Sequence, residues 1–217
     1  MDVMAFLKIR TAFIRQFYSN SAESFLERIR LIEGAIPPFE PPYSEDGEPP
    51  FMEEWSEAQE SLDLLGATCV SMLSETLKLY FQTWEQKLRL SCQVENKAVF
   101  KKRGFVAGYL VCFGKKLESD WSDCPADLEL LEQIAHARND AQHHKDITSL
   151  RLYHNPKVQE RHASPFFLSD AERRMIGEED YREMPWSRGL TLTVSREALL
   201  EAINQVEIFA DWIERTE

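Results

Sequence analysis

The chain has 217 residues, of which 43% are hydrophobic and 29% are charged, and its formal net charge is −12. This length and composition predict a soluble globular protein with a substantial core, organised as one domain or as one domain with an elaborated edge. No apolar run approaches the roughly 18 residues of a transmembrane helix. The acidic balance argues against a protein that binds nucleic acid over its whole surface.

The N-terminal sequence MDVMAFLKIR lacks the basic start and the long apolar core of a signal peptide. The four cysteines lie far apart in the sequence and contain no C-x-x-C pair: Cys69, Cys92, Cys112 and Cys124. These features predict free thiols in a reducing cytoplasm and no zinc site. We expect no cofactor and no bound metal.

The first 50 residues combine a helix with a proline-rich loop. Phe6, Ile9, Phe13 and Phe17 recur at spacings of three and four, which predicts a helix over residues 2 to about 33, with a possible break near 19–21. Residues 35–50 contain six prolines and predict an acidic surface loop, either a stiff connector or a ligand for a proline-binding domain. We expect residues 1–50 to pack on a main domain formed by residues 51–217.

The longest periodic segment runs from residue 51 to about 92. Its two neighbouring apolar stripes predict a wide buried face, which favours the central helix of a bundle over a coiled coil. Another helix is predicted over residues 98 to about 117. It carries the basic cluster Lys101, Lys102 and Arg103.

A helix that starts near Pro125 is predicted to lead to Arg138. Residues 145–190 are irregular by pattern, with short strands predicted near 150–153. Residues 189–195 are predicted to form a short strand or an extended lead-in to the next helix. Ser195 is a good N-cap for a last helix with one apolar face. The predicted fold class is therefore all-α, a helical bundle with a long central helix, an irregular insertion and one or two short strands.

The sequence RNDAQHH, residues 138–144, concentrates polar chemistry at the end of this helix. Each helical residue turns by about 100°, so Arg138, Asn139 and His143 fit within an arc of about 140°. Asn139 and His143 are spaced i, i+4 and can touch. His144 lies about 240° from Arg138 and points away from that arc.

These residue types suit phosphoryl chemistry. Arginine offers a permanent charge and a forked donor set for phosphate oxygens, and histidine transfers protons near neutral pH. On RNA the ribose 2′-hydroxyl is already placed to attack the neighbouring phosphate, so no metal is required. The alternative interpretation is that Arg, His and Asn only cap a helix end and oppose its dipole.

The R-x4-H spacing of RNDAQH, residues 138–143, resembles the signature of the HEPN superfamily, small all-helical proteins that include many RNases of toxin–antitoxin, phage-defence and RNA-processing systems. LKLYFQTWEQKLR, residues 77–89, looks like the long HEPN helix with an acidic residue facing the motif. Residues 189–213 look like the closing segment of many members. The resemblance runs from about residue 51 to the end of the chain.

The resemblance implies that Arg138 stabilises the phosphorane, that His143 is the general base or acid, and that Asn139 positions the phosphate. Glu85 would be the acidic helper, or else a solvated helix charge. Members usually dimerise so that two motifs share one cleft. One departure is Lys145, where many toxins paired with nucleotidyltransferases carry a tyrosine that is modified. Regulation by that route is therefore in doubt.

The first hypothesis is a metal-independent endoribonuclease of HEPN type that acts as a homodimer in microbial defence or stress, with an antitoxin or other protein as a further partner. The expected RNA-binding residues are Lys101, Lys102, Arg103 and His144, with a solvated basic surface as the alternative for the first three. A second hypothesis is a non-catalytic helical interaction module. A third is a nucleotide-binding regulatory domain that uses Arg138. The sequence also predicts His154 and His162 to be surface histidines.

Overall fold

The computed structural model describes residues 2–40, 49–142, 151–156, 162, 165–176 and 189–216. The fold is all-α, with eight helices and no strand in those ranges. The helices are α1 Val3–Glu33, α2 Met52–Lys87, α3 Cys92–Glu95, α4 Lys97–Arg103, α5 Phe105–Leu117, α6 Leu128–Gln142, α7 Asp170–Ile176 and α8 Arg196–Thr216. Within the described ranges, no helix has the length and apolar character needed to cross a membrane.

Helix α1 is continuous through residues 19–21, where the sequence suggested a break. It begins at Asp2, whose carboxylate accepts a hydrogen bond from the backbone N–H of Ala5. Its buried side chains follow a helical period and lie on the side that packs against α2 and α8: Val3, Met4, Leu7, Thr11, Ile14, Tyr18 and Ala22. The stripe of Phe6, Ile9 and Phe13 therefore faces outwards, with exposed fractions of 58%, 65% and 55%.

Helix α2 packs against α1, α6 and α8 and supplies many of the most deeply buried side chains, among them Leu73, Leu77, Phe81 and Trp84. Gly66 marks a close contact with the chain that leads into α8. A Cβ atom at this position would lie 2.3 Å from the carbonyl oxygen of Val194. The absence of a side chain therefore allows the two backbones to approach directly.

The prediction of a single helix over residues 98–117 is wrong. The chain turns at Gly104 and forms two helices, α4 and α5. Gly104 has a φ of +120°, and a Cβ atom there would lie 2.3 Å from Oε1 of Glu132. That carboxylate accepts hydrogen bonds from the backbone N–H groups of Phe105 and Ala107 at 2.8 and 3.0 Å. The start of α5 is thus capped by a side chain from α6, which local periodicity does not reveal.

The prediction of four free thiols is wrong for two of them. Cys92 of α3 and Cys112 of α5 form a disulfide across 20 residues of chain. Cys69 is a buried free thiol and Cys124 a partly buried one. Because α3, α4 and α5 pack on one another, the covalent link holds together a unit that also contains the basic end of α4.

The predicted short strands reduce, in the described residues, to one antiparallel bridge between Tyr153 and Thr191. Two flanking hydrogen bonds support it, from His154 N to Leu190 O and from Leu192 N to Leu152 O. The described part of residues 145–190 also contains helix α7, whereas residues 145–150 and 177–188 lie outside the described ranges.

The first and last helices are joined by polar contacts. The backbone N–H of Met4 donates to Glu214, and Arg15 and Thr11 donate to Glu207 at 2.6 and 2.5 Å. Burial alone would raise the pKa of Glu207, but the hydrogen bonds from Arg15 and Thr11 outweigh it and hold that pKa below its ordinary value. Helix α8 itself begins at Ser195, whose hydroxyl caps the N–H of Ala198, as the sequence predicted.

Candidate functional site

Helix α6 carries the residues that the sequence singled out. It begins after Asp127, whose carboxylate accepts the backbone N–H of Leu130. Leu131 and Ile134 are fully buried, and the helix packs on α2, α5 and α8. This apolar anchor fixes the direction in which the polar residues at the end of α6 project.

Arg138 and Asn139 lie together in the last turns of α6. The Arg138 guanidinium, which is partly exposed, donates from Nη1 to Oδ1 of the exposed Asn139 at 3.2 Å. Among the described residues, no other hydrogen bond to the guanidinium is present, so its remaining N–H donors have no described acceptor. An arginine held beside an amide at an accessible helix end is suited to bind an anion such as a phosphate.

His143 and His144 lie outside the described residues, as does Lys145. The distance between Arg138 and His143, on which the R-x4-H interpretation depends, is therefore not part of the described geometry. The catalytic role of His143 and the RNA contact of His144 remain predictions.

Glu85 lies near the end of α2 and bonds within the fold. Its Oε1 accepts the backbone N–H of Cys92 at 2.6 Å, and its Oε2 accepts the hydroxyl of Tyr109 at 3.0 Å. Burial, with a further contribution from Glu85, raises the pKa of Tyr109 to about 12, so this hydroxyl stays a donor. The carboxylate thus bonds to Cys92, which is part of the disulfide, and to Tyr109. Among the described residues, no contact joins it to Arg138. Its role as the acidic helper stays a prediction.

His154 and His162 were predicted to be surface histidines, and this is wrong, because each is only 8% exposed. Nε2 of His154 lies 2.8 Å from the carbonyl oxygen of Phe167, and its Nδ1 lies 3.7 Å from Oδ2 of Asp140. Since a carbonyl oxygen only accepts, Nε2 carries the proton in this contact. His154 thereby ties the segment after residue 151 to α6.

One further histidine, His136, completes a cluster with His154 and His162 on this side of α6. Nε2 of His136 lies 3.6 Å from Oε1 of Glu132, and Nδ1 of His162 lies 3.5 Å from Oε1 of Glu129. The rings of His136 and His162 meet edge to face with centroids 5.4 Å apart. Each imidazole thus faces its own carboxylate.

This cluster encloses little space. The cavity that it lines measures about 20 Å³, which holds at most one water molecule. Within the described ranges, no group of three or more His, Cys, Asp or Glu side chains is arranged to hold a metal ion. The cluster therefore fixes the fold around α6 and leaves no room there for a substrate.

Sequence reasoning missed this cluster, although a signal for part of it was present. Glu132, His136 and Asp140 are spaced four residues apart and so share one side of α6. Their partners, His154 and His162, come from an irregular segment whose path the sequence does not specify. Only the half of the cluster on the helix could have been predicted.

The three predicted RNA-binding residues on α4 are all exposed: Lys101, Lys102 and Arg103. The structure also brings Lys115 of α5 to the start of α4, where its Nζ donates to Oδ1 of Asn96 at 3.2 Å. Arg103 and Lys115 line one groove together. The fold therefore brings a basic residue of α4 and one of α5 to the same groove, although the two lie twelve residues apart in the sequence.

Comparison of the chain with protein-family models, with curated proteins and with solved structures finds no match.

Proposed function

We propose that this chain is a metal-independent endoribonuclease of HEPN type. The observation that carries the proposal is the pairing of Arg138 with Asn139 at an accessible helix end of an all-α fold. In the proposed reaction the ribose 2′-oxygen attacks the adjacent phosphorus and the 5′-oxygen leaves. The products are a 2′,3′-cyclic phosphate and a 5′-hydroxyl.

In this mechanism Arg138 donates to the phosphate oxygens, which gain negative charge in the pentavalent state. Asn139 holds the guanidinium on one side and orients it. His143 takes the proton of the 2′-hydroxyl or gives one to the leaving oxygen. A homodimer would place two such sets in one cleft, and an antitoxin or trigger would control access. A cytoplasmic location is part of this proposal, although the Cys92–Cys112 disulfide is of a kind that is rare in a reducing compartment.

The test is incubation of total RNA in EDTA with the wild type, Arg138→Ala and His143→Ala, followed by mapping of the fragment ends. We expect both variants to lose at least about 100-fold in cleavage rate, as when an oxyanion-stabilising donor is removed. Arg174→Ala is the matched control, since this exposed arginine of α7 bonds only to a carbonyl of its own helix in the described structure. Cleavage at the wild-type rate by either site variant would contradict the assignment.

A non-catalytic interaction module is the second candidate, and the outer side of α1 favours it. Phe6, Ile9 and Phe13 form an exposed apolar stripe on a chain whose net charge is −12. Under this alternative, wild type and both site variants leave RNA intact, and binding of a protein partner is abolished by Ile9→Glu. Retained partner binding by that variant would show that the partner binds elsewhere, and absence of both RNA cleavage and partner binding in the wild type would count against both candidates.

A further inference from the structure

The charges of this acidic chain are unevenly distributed. Residues 96–117 hold six basic side chains and no acidic one, whereas the other 195 residues hold 19 basic and 37 acidic side chains. All six are exposed in the fold: Lys97, Lys101, Lys102, Arg103, Lys115 and Lys116. A local positive field on an otherwise negative protein selects for a polyanion and orients its approach.

Folding concentrates this charge further. Lys115 donates to Asn96 at the junction of α3 and α4, and the Cys92–Cys112 disulfide ties the same elements together. Phe100 of α4 packs against the ring of Tyr109 of α5 at 5.2 Å. These contacts fix α4 and α5 relative to each other, which lowers the entropy lost when a ligand binds to both helices.

A groove of about 520 Å³ runs along this surface, with Arg103 and Lys115 on its walls. The other lining is mostly apolar: Leu110, Val111, Trp121 and Leu128. Asp120 is the one acidic residue among those that line it in the described structure, and its carboxylate accepts the backbone N–H of Ser122. Hydrogen bonds from Ser122 hold the pKa of Asp120 below its ordinary value.

The indole of Trp121 is held firmly in this groove. Its Nε1 donates to the carbonyl oxygen of Leu110 at 2.9 Å, and the ring packs on Phe209 and Trp212. Gly114 makes room for it, since a Cβ atom at that position would lie 2.8 Å from the Trp121 Nε1. The apolar and aromatic side chains of the groove can stack against the flat bases of an unpaired strand. The basic side chains beside them can bind its phosphates.

We propose that the groove between α5 and residues 119–121, with the cations of α4 and α5, is a binding surface for single-stranded RNA outside the Arg138 site. The identity of the polyanion as RNA rests on the proposed function. Leu128 at the groove and Arg138 are ten residues apart on α6, or about 15 Å along the helix. One unpaired strand can therefore occupy the groove and extend to Arg138.

The test is fluorescence anisotropy with a labelled 12-nucleotide oligouridylate, in an Arg138→Ala background so that binding is measured without cleavage. We expect Lys101→Glu/Arg103→Glu to weaken binding at least tenfold. The slope of log affinity against log salt should fall by about 1.4, or about 0.7 for each phosphate that the protein no longer neutralises. A duplex of equal length should bind at least tenfold more weakly than the single strand.

The matched control is Arg10→Glu/Arg215→Glu, which makes the same change in net charge at exposed residues of α1 and α8. Equal weakening by both double variants would show a general charge effect and overturn the proposal. So would undetectable binding at low salt, or a preference for the duplex. Because this assay does not depend on cleavage, an inactive wild type that still binds through α4 and α5 would refute the nuclease and leave the groove in place.

A second readout avoids charge reversal and its effects on folding. Oligouridylate containing 4-thiouridine is crosslinked to the protein in the Arg138→Ala background, and the modified peptides are identified by mass spectrometry. We expect crosslinks in residues 103–121. Crosslinks confined to other surfaces would overturn the assignment.

Discussion

On one side of α6, Glu132, His136 and Asp140 are largely buried and face partners within the fold, whereas Arg138 and Asn139 reach the surface at the end of the same helix. Both groups are polar and both lie within nine residues of sequence, 132–140. The difference is in their partners, because the first group bonds to fixed parts of the chain and the second leaves donors for a ligand. A dense run of polar residues therefore does not by itself mark a binding site.

The largest expected effect is at Glu132, the most heavily used carboxylate of the buried group. Glu132→Ala removes the acceptor of two backbone N–H groups and the partner of His136, so we expect stability to fall by about 4 kcal/mol. Urea unfolding followed by circular dichroism measures this loss. Glu23→Ala, at an exposed residue of α1, is the control and should change stability by less than about 0.5 kcal/mol. Similar losses of stability in both variants would show that Glu132 contributes no more to stability than an exposed carboxylate, which would contradict the prediction.

A smaller loss of stability is expected at Glu207 of α8, whose carboxylate accepts hydrogen bonds from Thr11 and Arg15. Because its pKa is lowered in the folded protein, its contribution is fully present above the unfolded pKa and is lost as the pH falls through the folded value. Glu207→Gln should cost about 1.5 kcal/mol at pH 7 and make the decline in stability below about pH 4.5 shallower. Denaturation midpoints measured between pH 3 and 7 test this. Parallel curves for variant and wild type would disprove it.

The smallest effect on stability is expected at the open end of α6. Arg138→Ala and Asn139→Ala should each change the free energy of unfolding by less than about 0.5 kcal/mol, since neither side chain bonds to a fixed part of the described structure. The same urea titration measures both. A loss above about 2 kcal/mol would place these residues in the structural group and weaken their assignment to RNA binding.

The main helices could be predicted from the sequence because a repeat of apolar residues every three or four positions directly indicates a helix. The segments that became α1, α2, α6 and α8 were each predicted as helices, and Ser195 was predicted as a cap. The division at Gly104 was not predicted, because the carboxylate that caps α5 comes from Glu132, which lies 27 residues after Phe105. A local pattern contains no information about such a distant partner.

The same limit explains the errors in the site. The burial of His154 and His162 depends on how an irregular segment folds back on α6, and the Cys92–Cys112 pairing depends on how α3 meets α5. Arg138 and Asn139, in contrast, lie together because they are consecutive residues of α6, which requires no distant partner. The proximity of His143 to them remains a prediction from that spacing alone.

The contacts between α1 and α8 also matter for the order in which the chain is made. Thr11 and Arg15 leave the ribosome early, whereas their acceptor Glu207 follows 196 and 192 residues later. Until then α1 can pack on α2, but its polar side chains lack the carboxylate that binds them. A premature stop codon upstream of residue 207 would therefore remove the acceptor of two side chains in a helix that was translated more than 190 residues earlier.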